Sequence, residues 1–267
     1  MKLSKSAILL TAVCVFLFAP AAQAQSHEAD TKISRVPSLS PSSSVQLGDK
    51  VIVIPSPEGY EEGTSQFPQV KDLFTAIEAP VNDTLLAHLP VSDCTTLRNG
   101  GRIILTRYTK VSVLKTAREQ TITDADMTAT VAAFRQSGAK MMEPDGPLLM
   151  DVMRNAEKGL SRVESREVGL DVSETQILGE FDVRPQVYSV MILMIVKVDS
   201  QGKQDTRPVV LSLTYLKVRQ RMIYVSLYQK ISSAQALKTE LKPAMEDVKQ
   251  VTTKWVNEIL AANREVR

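Results

Sequence analysis

The sequence predicts an α+β fold in which an antiparallel β-sheet packs against helices, with a long helix at the C-terminus. Three observations carry this. Four strand-like runs follow one another with short connections in the second half, at 170–181, 187–198, 208–218 and 222–231. Consecutive strands joined by short turns pair antiparallel, because parallel strands need a long crossover. Before them, apolar residues recur at helical spacing in several segments, and Met245, Val248, Val251, Thr252, Trp255, Val256 and Ile259 trace a wide stripe of period 3.6. Strands followed by segregated helices make an α+β arrangement.

In chain order, the first element is an export signal. Lys2 and Lys5 form a positive start, Ala7 to Phe18 an apolar stretch, and Ala22-Gln23-Ala24 a small-residue cleavage site. Pro20 interrupts the apolar stretch short of the roughly 20 residues that a membrane-crossing helix needs. Residues 1–24 are therefore expected to be a signal peptide, with the mature chain starting near Gln25 and carrying no transmembrane segment. Cys14 lacks the small preceding residue expected of a lipidated cysteine. Residues 25–50 hold Pro37, Pro41 and Ser42-Ser43-Ser44 with few apolar side chains, and read as a flexible leader. A single α+β domain is expected over 51–267.

Within that domain, Val51-Ile52-Val53-Ile54 is rich in β-branched residues and predicts a strand, stopped by Pro55 and Pro57. Val70, Leu73, Phe74 and Ile77 predict a helix between Pro68 and Pro80. Alternation from Arg102 to Lys115 predicts a long strand after the Gly100-Gly101 turn. Thr123 with Asp126 three residues on predicts a capped helix carrying Met127, Val131 and Phe134 inward, with Gly138 as its stop. Pro147 suits the first turn of the next helix, through Leu149, Val152, Met153, Ala156 and Leu160. Val187 to Val196 is apolar on both faces and predicts a central strand. Pro243 is expected in the first turn of the last helix.

Charge and composition exclude several functions. The signal carries two of the 32 basic residues and none of the 30 acidic ones, so the mature chain is formally neutral. No block of Lys and Arg suits a phosphate backbone, and no nucleic-acid partner is expected. Lys217, Arg219 and Arg221 flank a turn and read as a solvated hairpin tip. After cleavage only Cys94 remains, so no internal disulfide forms and stability rests on a core drawn from the 43% apolar residues.

Two stretches carry a resemblance. The first runs from Leu85-Leu86-Ala87 through Val91, Asp93 and Leu97 to Leu105-Thr106-Arg107-Tyr108. The second joins Tyr224-Val225-Ser226-Leu227-Tyr228 to Trp255 and Ile259-Leu260-Ala261-Ala262-Asn263. Both resemble an uncharacterised family of exported bacterial proteins. The second also resembles the final strand and helix of the PsbP, Mog1 and DcrB-like group, an antiparallel sheet between helices. The DcrB-like members imply an envelope role and the PsbP-like members attachment to a membrane complex. No functional residue transfers with either likeness, since fold does not determine function.

Few residues are equipped for chemistry. Only His27 and His88 are present, and His27 lies in the leader. His88 and Cys94 lie close enough in sequence for a loop to bring them together as a Cys–His dyad, the hydrolase reading. A lone cysteine is by default a small buried hydrophobe. One structured histidine and one thiol leave zinc without a ligand set. Met141, Met142, Met150 and Met153 suggest a soft-metal site, though methionines on an apolar helix stripe usually fill a core. Asp124 and Asp126 suit the first turn of a helix. No glycine pattern fits a nucleotide fingerprint, and no cofactor is expected. The expected function is a non-enzymatic binding module, periplasmic or secreted, whose partner is an envelope or extracellular protein. The alternative is a small-ligand carrier whose pocket is lined by Tyr188, Tyr215, Tyr224 and Tyr228.

Overall fold

The computed structural model describes residues 42–264 apart from 166 and 201. The expected signal peptide and the leader as far as residue 41 lie outside the described residues. The described residues form nine strands and five α-helices. A two-stranded sheet pairs β1 (Ser42–Leu47) with β2 (Lys50–Pro55). The remaining strands are β3 (Tyr60–Glu62), β4 (Asn82–Pro90), β5 (Arg107–Leu114), β6 (Val168–Arg184), β7 (Val187–Ser200), β8 (Lys203–Val218) and β9 (Arg221–Lys230). They make one antiparallel sheet in the order β3-β4-β5-β9-β8-β7-β6. The four-strand meander of the second half is as the sequence predicts.

Two packed layers flank this sheet. On one face lie α1 (Pro68–Ala76), α3 (Asp124–Met141) and α4 (Pro147–Glu164). Phe74, Phe134, Leu149, Val152 and Leu160 from these helices join Tyr108, Tyr188, Leu211, Tyr215 and Tyr224 from the strands in one apolar cluster. On the other face, α5 (Leu237–Ala262) and the β1–β2 hairpin cover Val111, Val187, Leu216, Ile223 and Val225 with Trp255, Ile259, Leu47, Ile52 and Ile54. Each large apolar side chain so buried stabilises the fold by roughly 1.5–3 kcal/mol. Trp255 is fully buried, and its indole N–H donates to the Pro55 carbonyl at 2.7 Å, fastening α5 to the hairpin.

Several expectations are corrected. The leader read as reaching residue 50 gives way to strand at Ser42, because the serines alternate outward while Leu47 is driven into the core and the backbone pairs with β2. Residues 82–98 form β4 and α2 (Val91–Arg98), and the strand expected from Arg102 begins at Arg107. Thr123 and Asp126 do form a reciprocal cap on α3, but that helix runs past Gly138 to Met141. A Cβ at Gly138 would sit 3.0 Å from the Phe134 ring, so the missing side chain serves packing within the helix. Pro243 lies inside α5, on its exposed side. β9 is the central strand, and β7, though buried on both faces, stands next to the edge strand β6.

One charge pair is sealed in the helix-covered face. Lys110 on β5 donates to Glu78 at 2.9 Å, with their side chains 0% and 5% exposed. Glu78 also accepts from the Thr84 hydroxyl at 2.6 Å and the Ala79 amide at 3.1 Å. Such a pair holds because the additional donors satisfy the carboxylate where water is excluded.

A cation-lined cleft at the hairpin end of the sheet

Two hairpin tips, the start of α3 and the end of α5 converge at one end of the sheet. They enclose an open cleft of about 780 Å³. Arg184 and Gln186 line it from the β6–β7 turn, Lys217 to Gln220 from the β8–β9 hairpin, Leu260 from the last turn of α5, Asn263 and Arg264 from just beyond it, and Asp124 from the start of α3. Four cationic residues and one carboxylate thus line a volume typical of ligand clefts.

Backbone and side-chain bonds hold the walls in place. The Lys217 amide donates to the Gln186 carbonyl at 2.9 Å, joining the two hairpin tips, and the Ile122 amide donates to the Gln220 carbonyl at 2.9 Å. Arg219 donates to the Val51 carbonyl at 2.9 Å. The Asn263 amide nitrogen donates to the Val53 carbonyl at 2.6 Å while its oxygen accepts from the Val53 amide at 2.9 Å, pinning the end of α5 to β2. Arg184 grips Asp182 through two nitrogens at 2.8 and 2.6 Å and donates to the Asn257 oxygen at 2.9 Å. Lys217 is ion-paired with Asp124; its own side chain is 10% exposed and that of Asp124 80%.

The β8–β9 tip is strained. Val218 pairs with Arg221, leaving Arg219 and Gln220 as a two-residue turn with φ of 47° and 60°. Both are left-handed, a conformation costing roughly 1–2 kcal/mol for each residue that carries a Cβ. Such a turn favours Asn-Gly.

The sequence reading of a solvated tip at Lys217, Arg219 and Arg221 is corrected for two of the three. Lys217 and Arg221 are buried. The Arg221 guanidinium donates to the Leu47 carbonyl at 3.0 Å and the Gln120 carbonyl at 2.8 Å, and pairs with Asp49. It welds the β1–β2 turn and the approach to α3 onto β9.

The four tyrosines singled out from the sequence lie under the helices of the opposite face. Tyr188, Tyr215 and Tyr224 stand in one cross-strand row, Tyr188 opposite Tyr215 and Tyr215 opposite Tyr224. Their ring centroids are 6.0 and 5.2 Å apart, and Phe134 packs edge-on to the first two at 5.6 and 5.8 Å. Tyr228 stacks on Tyr108 at 4.5 Å. These are ring-to-ring contacts at core spacing, and each of the four is at most 2% exposed. Burial raises the Tyr224 and Tyr215 phenols well above the ordinary range. Burial, reinforced by its bond to Glu180, does the same to Tyr188.

Cys94 and His88 occupy opposite faces of the sheet. His88 on β4 bonds Thr109 at 2.9 Å and meets Trp255 edge-on at 5.3 Å, beneath α5. Cys94 on α2 is buried among the residues of the other face. Burial pushes its thiol up to about 11 and the His88 imidazolium down to about 4. A neutral thiol across the sheet from a neutral imidazole is not a nucleophile and base pair. Met142 and Met153 are core residues whereas Met150 is 47% exposed, so the methionines do not face a common point. Asp126 is spent in the helix cap and Asp124 on Lys217. Among the described residues no three His, Cys, Asp or Glu side chains are placed to share a metal ion.

A second polar concentration lies at the far end of the sheet. Arg107 on β5 pairs with Asp247 of α5 at 2.5 Å and stacks over Tyr60, its guanidinium carbon 5.7 Å from the ring centroid. Burial outweighs the Arg107 charge and raises the Tyr60 phenol to about 12. This cluster closes the sheet end under α5.

The cleft is the feature that sequence reasoning missed. Its signal was the Arg-Gln pair where a tight turn favours Asn-Gly, but convergence of α5 on that turn has no local signature.

No family model and no curated protein matches the chain. Among solved structures, a single-residue mutant of protein Mog1 is 11% identical, with 84% of this chain and 93% of that one covered and a TM-score of 0.35. The Saccharomyces cerevisiae Ran-binding protein Mog1p is 9% identical, with the same coverage and a TM-score of 0.28. This is a weak likeness of fold. No site residue is taken from it.

Proposed function

We propose that the chain is an exported, non-enzymatic binding module of the cell envelope that holds a partner protein at the cation-lined cleft. The cleft carries this reading: it is concave, and hydrogen-bonded hairpin and helix ends bring four cationic residues to it, of which Lys217 and Arg184 are matched by Asp124 and Asp182. Charged groups held in place this way steer and select a partner. Export is supported by the charged start, apolar stretch and Ala22-Gln23-Ala24 site of residues 1–24. No helix among the described residues is long and apolar enough to cross a membrane. A non-catalytic role is supported by the burial of Cys94 and His88 on opposite faces.

The test is a photo-crosslinking residue placed in the full-length protein in its own cell, at Arg264 in the cleft or at Met150 on the outer side of α4. A specific adduct from position 264 and none from 150, on a chain beginning at Gln25, is expected. Adducts from 150 alone, or a retained Met1, would overturn the reading.

A further inference from the structure

Away from the cleft, a buried amine and a buried carboxamide meet at one carboxylate. Lys110 lies in the middle of β5, Asn82 is the first residue of β4, and Glu78 sits in the turn that joins α1 to β4. The Lys110 and Glu78 side chains are 0% and 5% exposed, and Asn82 is 3% exposed. Water is excluded from all three.

Glu78 touches the other two, one with each oxygen. Its Oε2 accepts from the Lys110 amine at 2.9 Å, and its Oε1 from the Asn82 side-chain nitrogen at 3.3 Å. The Thr84 hydroxyl on Oε2 and the Ala79 amide on Oε1 hold the carboxylate in that orientation. These are the two contacts that a transamidation needs: a base on the attacking amine, and an acid on the nitrogen that leaves. Where water is excluded, a charged pair can neutralise itself by proton transfer along its hydrogen bond, here leaving an amine beside a carboxylic acid. The flexible four-carbon stem of lysine lets Nζ swing from Oε2 to the amide carbon.

We propose that Lys110 and Asn82 join as an amide, a covalent staple between β5 and β4, with Glu78 as the proton carrier. The Lys110 nitrogen passes a proton to Glu78 and attacks the Asn82 amide carbon. The Nζ–Cγ bond forms, Glu78 hands the proton to Nδ2, and the Cγ–Nδ2 bond breaks as ammonia leaves. The second proton lost by Nζ goes with it as ammonium, so Glu78 ends as a carboxylate and no oxidant or cofactor enters. Such a bond restricts the unfolded chain as a disulfide would, in a chain whose described residues hold one cysteine, Cys94. The staple is independent of the binding reading above.

Peptide mapping of the denatured protein, purified from its own cell, tests this. Trypsin should leave a branched peptide that joins residues 72–98 to residues 108–115, uncut after Lys110 and lighter than the two together by one ammonia, about 17 Da. Fragmentation should place the branch at Asn82 and Lys110. Glu78→Gln keeps the shape of the carboxylate but cannot carry the proton, and its linked fraction should fall about tenfold or more. Separate peptides with cleavage after Lys110 in the wild-type protein would overturn the proposal, whether or not the variant folds. So would a branch at Glu78 with loss of water, or undiminished linkage in Glu78→Gln.

Discussion

His88 shows how one side chain couples the fold to pH. Its ring is fully buried between Thr109 and Trp255, and desolvation holds the imidazolium down to about 4 against the nearby Glu62 charge. In the unfolded chain the same ring titrates near 6.5. As pH falls from about 6.5 to about 4, the unfolded state takes a proton that the folded state refuses, so stability is lost across that window. The gap corresponds to about 3 kcal/mol. Urea titrations at several pH values should show that slope, and His88→Asn, which keeps a partner for Thr109, should flatten it. An unchanged slope would mean that other groups carry the acid sensitivity. The default reading of Cys94 as a buried hydrophobe was legible in the sequence; the burial of His88 was not. Its neighbours are apolar on both sides, and only the register of β4 against β5 turns it toward Trp255.

At the scale of elements, helix starts were legible because their signals are local. Thr123 with Asp126 caps α3 and Pro147 opens α4, as their types and spacing predict. Gly138 was misread as a helix stop because its role is set by a neighbour, the Phe134 ring, and a second helical glycine is fixed by its neighbours too. Gly159 in α4 faces α1: a Cβ there would stand 2.0 Å from the Ala76 carbonyl oxygen. Helix propensity alone makes Gly→Ala favourable by about 1 kcal/mol. Forcing α1 and α4 apart costs more, so Gly159→Ala should be destabilising by about 2–3 kcal/mol net, read as a lower urea midpoint. A stabilised variant would show that the two helices separate freely. β1 and α2 were missed for a related reason: serine-rich and mixed polar stretches have weak propensity, and these two gain their order from pairing with β2 and from packing on β3 and β4.

For the whole molecule, assembly depends on side chains that bridge elements distant in sequence. Arg221 is the clearest, joining β9 to the Leu47 carbonyl, Asp49, and the Gln120 carbonyl. Arg221→Met fills the space yet leaves buried carbonyls without donors, at a cost of about 3 kcal/mol. Hydrogen exchange should report it first in β1 and β2 and in the stretch before α3, while the β6–β9 meander stays protected. Uniform loosening of the sheet would show instead that the hairpin is not a separable layer. The sequence by itself determined the α+β class, the four-strand meander, the apolar stripe of the last helix and the expectation of export, since each is written in periods of two or 3.6 or in contiguous composition. Only the tertiary structure decided that β9 is central, that Arg221 and Lys217 are buried while Arg219 lines a cleft, and that the tyrosines are core. Those outcomes depend on which elements lie across from one another, and a chain read one segment at a time holds no record of that.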